Sequence, residues 1–137
     1  MIIKGDDIKK LIPQREPFMM VDEFEQQDEN TARTMLVVQR GNYFLLPDGM
    51  MSPTGLIEHI AQSCSALAAS KAAGETAPIG MIAEVKHFCC HRRPEINEQL
   101  LTTVTFGFSF GQMTLAHGIT TIGGETIAEV DLKIFMQ

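Results

Sequence analysis

Apolar and polar positions alternate through much of the second half of the chain. Val104, Phe106, Phe108 and Phe110 recur at every second position, as do Ala128, Val130, Leu132, Ile134 and Met136. That spacing predicts strands with one apolar face. Four strands are expected, over 78–90, 99–110, 112–122 and 125–136, with Gly111 and Gly123-Gly124 at the joints where tight hairpins need them. Upstream, 18–26 and 31–39 are strand-like and flank the turn-forming Asp28-Glu29-Asn30. Residues 6–12 can make a turn or two of helix with Asp6 as its cap, ended by Pro13 and Pro17.

The pattern changes after residue 52. Ser52 can cap a helix, Pro53 is tolerated in its first turn, and 54–73 contain no proline until Gly74 supplies a stop. Leu56, Ile57, Ile60, Ala61, Cys64, Ala66, Leu67, Ala68 and Ala69 go nearly all round this helix, which predicts burial on every side. Its small residues let strands approach the axis closely. Residues 40–51 are turn-rich and read as a loop. The order is thus two strands, one long buried helix and an antiparallel meander of four. That is an α+β arrangement in which a curved antiparallel sheet wraps round one long central helix. Without repeats or linkers, 1–137 reads as a single domain.

Composition narrows the field. The chain has 137 residues, 45% apolar and 20% charged, enough for a packed core. A net charge of −6 argues against a general nucleic-acid binder. The phenylalanines of 104–110 read as core, because no basic residues interleave them as they would a base-stacking platform. No apolar run reaches the roughly 20 residues that span a bilayer, and the N-terminus carries no signal-peptide pattern. Three cysteines, two of them adjacent, make no disulfide framework. A cytoplasmic protein is expected.

One charge stands out. Glu58 interrupts the apolar helix one to two turns from its start. The helix dipole favours a carboxylate there, but an unpaired acid in apolar surroundings is costly, which points to use. Burial should raise its pKa and the helix start should lower it, and the residues alone do not decide between them.

The segments "LIPQREPFMMVDEF" (11–24) and "SPTGLIEHIAQS" (52–63) together resemble the hotdog-fold β-hydroxyacyl-ACP dehydratases of fatty-acid synthesis. "PIGMIAEVKHFCCHRRPEINEQL" (78–100) echoes the same family more loosely. The resemblance implies an α+β hotdog fold and a site shared between two subunits. One subunit supplies a histidine from the loop before the helix, and the other a carboxylate on the helix. It implies Glu58 as the catalytic carboxylate and Gln62 as its companion one turn later. The chemistry would be loss of water from a 3-hydroxyacyl thioester, one group removing the α-proton and the other protonating the departing hydroxyl. No cofactor is implied, the substrate being carried on phosphopantetheine or CoA. Acyl carrier protein or acyl-CoA is the implied partner, with a homodimer or a heterodimer with a related hotdog subunit.

Two departures qualify this. The family's histidine falls on Phe44 by direct count, or on Leu45 when the proline of Leu45-Leu46-Pro47 is matched, and no histidine precedes His59. Pro53 stands where the family has a glycine whose N–H holds the thioester carbonyl, and proline has no N–H to give. The amides of Thr54 and Gly55 are the candidate replacements at the helix start. Thr54, Gly55, Gln62, Leu45 and Gly80 form the expected substrate-binding set.

The remaining polar residues carry weaker signals. His59 points about 100° from Glu58 on a helix and reads as a residue of a dimer seam or sheet surface. His87, Cys89 and His91 share a strand face by alternation, but the spacing matches no standard zinc arrangement, so no metal is expected. His117 reads as an ordinary sheet residue. Lys86, Arg92 and Arg93 form the only dense basic spot, either a solvated turn or a dock for an acidic carrier protein. Three functions follow: a dehydratase subunit that supplies half a site, a thioesterase using Glu58 alone, and a catalytically silent acyl-binding subunit.

Overall fold

The computed structural model describes residues 1–72 and 80–136. The strands are β1 (Ile2–Lys4), β2 (Glu23–Asp28), β3 (Thr31–Val37), β4 (Gly80–Cys90), β5 (Gln99–Phe110), β6 (Met113–Ile122) and β7 (Glu125–Met136), and the long helix is α1 (Pro53–Lys71). One sheet holds all seven strands in the order β1-β2-β3-β5-β6-β7-β4, every neighbouring pair antiparallel. The sheet packs its apolar face on α1, which gives the expected α+β hotdog layout. The expected helix stop at Gly74 and the start of the following strand at residue 78 lie outside the described residues.

The topology corrects the expected meander of four. β5, β6 and β7 form a meander, but β4 pairs with β7 at the far end of the sheet, and β5 pairs with β3. Residues 91–98 separate β4 from β5, which is long enough to cross the sheet instead of closing a hairpin. Alternation says which face of a strand turns inward, not which strand lies beside it.

Three local departures have identifiable causes. The strand expected over 18–26 begins only at Glu23, because side chains of α1 take the backbone of the preceding segment. Met20 N–H donates to Gln62 Oε1 at 2.7 Å, and Met20 C=O is bonded by His59 Nδ1 at 2.5 Å. A backbone bonded to helix side chains has no groups left for a ladder. The helix expected over 6–12 is a 3-10 helix over Gly5–Lys10 preceded by Lys4, without a side-chain cap from Asp6. A register shift between Phe106 and Ser109 turns the end of β5 outward. Phe108 and Phe110 are therefore 69% and 46% exposed, against their expected place in the core.

α1 is capped as expected, Ser52 Oγ accepting from Thr54 N–H at 3.3 Å. Leu56, His59, Ile60, Ser63, Cys64 and Leu67 are buried, while Ile57, Glu58, Ala61 and Ser65 form a half-covered stripe, so the helix is not enclosed on every side. Two glycines set how closely it is gripped. A Cβ on Gly118 would overlap Ile60, so β6 lies against the helix only because that position is bare. A Cβ on Gly55 would fall 2.7 Å from Phe44 Cβ and 2.8 Å from Met51 Cγ, so the 40–51 loop can close on the start of α1.

Candidate active site

The half-covered stripe of α1 opens into a cavity of about 280 Å3. Glu58, Ala61, Ser65 and Ala68 line it from the helix, and Gln14 from the segment before β2. Gly80, Met81 and Ile82 of β4 and Ile134 and Met136 of β7 complete the wall. The helix supplies the polar edge and the strands an apolar wall, which suits an acyl group with one polar end.

Glu58 is half-buried and held from one side. Gln62, one turn on, donates Nε2–H to Glu58 Oε2 at 2.7 Å and to Phe18 C=O at 2.6 Å, while its Oε1 accepts from Met20 N–H. The amide is thus spent on fixing the carboxylate and pinning residues 18–20 to the helix. Gln62 is placed to orient Glu58. Gly80 lies in the cavity wall with Glu58, whereas Thr54, Gly55 and Leu45 do not line it. Thr54 N–H goes to Ser52 Oγ and Gly55 N–H to Ser52 C=O at 2.8 Å, so both amides expected to hold a thioester carbonyl close the helix cap instead. Leu45 makes an isolated bridge with Met51 and packs on a core group that includes Met20, Met51 and Leu56.

The histidines are elsewhere. His59 is fully buried, which corrects its expected place at a seam or surface. Burial pushes it down to about 4, so the ring is neutral. Nδ1–H donates to Met20 C=O, and Nε2 accepts from Thr102 Oγ1 at 2.8 Å, which in turn accepts from Thr120 at 2.7 Å. The chain of bonds ties the helix to β5 and β6. His117 and His87 each bond Asp131, at 2.6 and 2.9 Å, and hold its carboxyl below the usual range. These three line a larger groove of about 540 Å3 between β4, β5, β6 and β7, floored by the core residues Ala116 and Leu132 and otherwise lined by residues outside the buried core. His91 is exposed. None of the four histidines in the chain lines the cavity that holds Glu58.

The face expected to carry His87, Cys89 and His91 is broken. The register of β4 shifts between Lys86 and Cys89, His87 takes a φ of 54°, and Phe88 packs on the core. Among the described residues, no group of three or more His, Cys, Asp or Glu is arranged to hold a metal ion. The basic spot is internally neutralised. Arg92 forks onto Glu98 at 2.8 and 3.0 Å, Arg93 onto Asp48 at 2.6 and 3.0 Å, and Lys86 lies 3.4 Å from Glu84. Arg93 also bonds the carbonyls of Met50 and Met51, which anchors the loop before α1. No described helix is long and apolar enough to cross a membrane.

Of the cavity residues absent from the expectations above, Gln14 and Ser65 are the polar ones. A glutamine in a proline-flanked turn reads as surface, and nothing in its neighbours marks it as facing a cavity.

Comparison with known proteins bears on the fold and the family. The chain is 28% identical over 134 residues to the 3-hydroxyacyl-[acyl-carrier-protein] dehydratase FabZ of Halalkalibacterium halodurans, covering 93% of this chain and 94% of that protein. A chain of the dehydratase heterocomplex ApeI:P from Xenorhabdus doucetiae superposes with a TM-score of 0.87 at 15% identity, over 95% of this chain and 90% of that one. A hypothetical thioesterase from Streptococcus pneumoniae, solved with coenzyme A, gives 0.67 at 10% identity over 83% and 85%, a likeness of fold alone. The family model of the ApeP dehydratases matches residues 6–137. A hotdog built round a carboxylate-bearing helix, matched along nearly its whole length, places the chain in the ApeP-like dehydratase family.

Proposed function

We propose that this chain supplies the carboxylate half of a dehydratase site that a histidine-bearing hotdog subunit completes. The pair would remove water from a 3-hydroxyacyl group carried as a thioester on acyl carrier protein in the cytoplasm, with no cofactor beyond the substrate's own phosphopantetheine. One observation carries this reading. Glu58 is oriented by Gln62 and lines an acyl-sized cavity, while all four histidines of the chain lie elsewhere.

The placement of the cavity supports a two-subunit site. Gly80, Met81 and Ile82 of its wall belong to β4, which ends the sheet and has a free edge among the described residues. Met81, Ile82 and Val85 expose apolar side chains along that strand. An unpaired, apolar edge of eleven residues is a template for a strand of another chain. A subunit paired there would stand over the cavity mouth and could present its loop histidine to the substrate.

The step balances without further reactants. The partner's imidazole takes the α-proton, the electrons of that C–H bond form the Cα–Cβ double bond, and the Cβ–O bond breaks. The Glu58 carboxyl gives its proton to the departing oxygen, which leaves as water, and exchange with solvent resets both groups. The test is a reconstitution with a histidine-bearing hotdog subunit from the same organism, repeated with Glu58→Gln. Glutamine keeps the shape and removes the transferable proton, so dehydration should fall by roughly 10²–10⁴-fold. A Glu58→Gln mixture that retains the full rate overturns the proposal. Measuring thiol release in the same samples separates dehydration from thioester hydrolysis.

A further inference from the structure

We infer that the cavity beside Glu58 is a length ruler for a single unbranched acyl chain on the order of ten carbons, with Ser65 and Ala68 of α1 as its graduations and Gly80 of β4 holding it open. The inference rests on the dehydratase reading above and adds to it the class of acyl group that the site takes.

The helix gives the length. Glu58, Ala61, Ser65 and Ala68 all line the cavity, and steps of three and four residues keep them on one face of α1. Ten positions along the chain separate Glu58 from Ala68, which is about 15 Å of axis at 1.5 Å per residue. An extended chain advances roughly 1.2 Å per bond, as a peptide backbone does, so about twelve atoms in line cover that distance. The cavity of about 280 Å3 holds about nine groups of water or methylene size at roughly 30 Å3 each. The two counts nearly agree, so the space is one chain wide. It has the length for a medium acyl chain and no width for a branch or a second chain.

The sheet supplies the other wall. Gly80 pairs with Met136 and Ile82 with Ile134 in the β4–β7 register, and strand positions level with one another or two apart share a face. Ile134 belongs to the core packed on α1, so all four present the helix side of the sheet. A Cβ on Gly80 would fall 3.2 Å from Ile134 Cγ2 and, among the described residues, within 4 Å of no other heavy atom beyond its chain neighbours. The bare position therefore borders open space. From the helix, Ala61 and Ala68 contribute a methyl each and Ser65 a hydroxymethyl. The passage exists because side chains on both walls are short or missing. Glu58 is the one charge among its described lining residues, so the reacting carbons belong at that end and the apolar tail runs towards Ala68. Burial favours each added methylene until the tail reaches the end of the space.

The test is a chain-length profile of the assembled complex with 3-hydroxyacyl-ACP substrates from butyryl to hexadecanoyl. In the parent, kcat/KM should rise roughly two- to fourfold per added carbon, peak near decanoyl and fall beyond it. Leucine at a small position puts about three further carbons into the passage, so Ala68→Leu should move the peak to a shorter chain. Ser65→Leu, nearer Glu58 on the same face, should move it further in the same direction. Gly80→Val fills the passage from the sheet and should cut the ratio of decanoyl to butyryl kcat/KM about tenfold. Ser65 and Gly80 are half-covered and Ala68 is buried, so the first two carry the test if Ala68→Leu does not fold. Variants that lower kcat/KM equally at every length, or a parent complex whose rate ignores length, overturn the ruler and leave the dehydratase reading standing. A parent complex inactive at every length removes both.

Discussion

At the scale of single residues, Gln62 and His59 spend their polar groups on the protein's own frame. Gln62 uses both ends of its amide to hold Glu58, Phe18 and Met20 together. Gln62→Leu should destabilise the protein by about 1–3 kcal/mol through the orphaned Met20 and Phe18 groups, measurable by urea unfolding, and should lower dehydration in the assembled complex because Glu58 loses its orientation. His59 makes stability depend on pH. Its pKa lies near 4 in the folded chain against 6.5 unexposed to the fold's environment. A depressed value means that the contribution is fully present above pH 6.5 and is lost as pH falls towards 4. The loss by pH 4 is about 3 kcal/mol for this group. Unfolding at pH 7 and at pH 4.5, repeated with His59→Phe, checks it: the slope attributable to this residue should vanish in the variant.

Legibility in the sequence follows the same division. Glu58 could be found because a charge inside an apolar run is conspicuous against its immediate neighbours. His59 was misplaced because the groups that satisfy it, Met20 and Thr102, are 39 and 43 residues away, and no local pattern announces a bond of that range. Gln14 was invisible for a related reason: a cavity wall is defined by what meets in space.

At the scale of elements, α1 and its close neighbours set the position of the carboxylate. The helix, its Ser52 cap and most strand limits were readable, since periodicity and capping are local properties. The position of β4 at the end of the sheet was not, because a connection of 91–98 permits either a hairpin or a crossing. The bare contact between Gly118 and Ile60 is a joint between helix and sheet with no room for a Cβ. Gly118→Ala should therefore cost about 1–3 kcal/mol by overpacking. Pairing that change with Ile60→Ala, which removes the γ carbons that the new Cβ would meet, should cost less than the two single changes added together; a Gly118→Ala protein as stable as the parent would mean that α1 can lift off the sheet at no cost.

At the scale of the whole molecule, the cavity, the free edge of β4 and the absence of histidine from the site belong to one picture. The chain folds into a full hotdog, and β4, unpaired at its outer edge among the described residues, borders the cavity that Glu58 lines; on the proposed reading a partner's histidine enters there. Ile82→Lys places a charge on that strand and in the cavity wall. It should weaken assembly with a second hotdog subunit, read as a shift to the monomer in light scattering. The most direct measurement is the rate of 3-hydroxyacyl-ACP dehydration by this chain alone, by a histidine-bearing hotdog subunit alone, and by the two mixed at the same total concentration. A mixture far faster than the sum of the separate rates, with the gain lost in Glu58→Gln, is the predicted result. A mixture no faster than that sum would contradict the account.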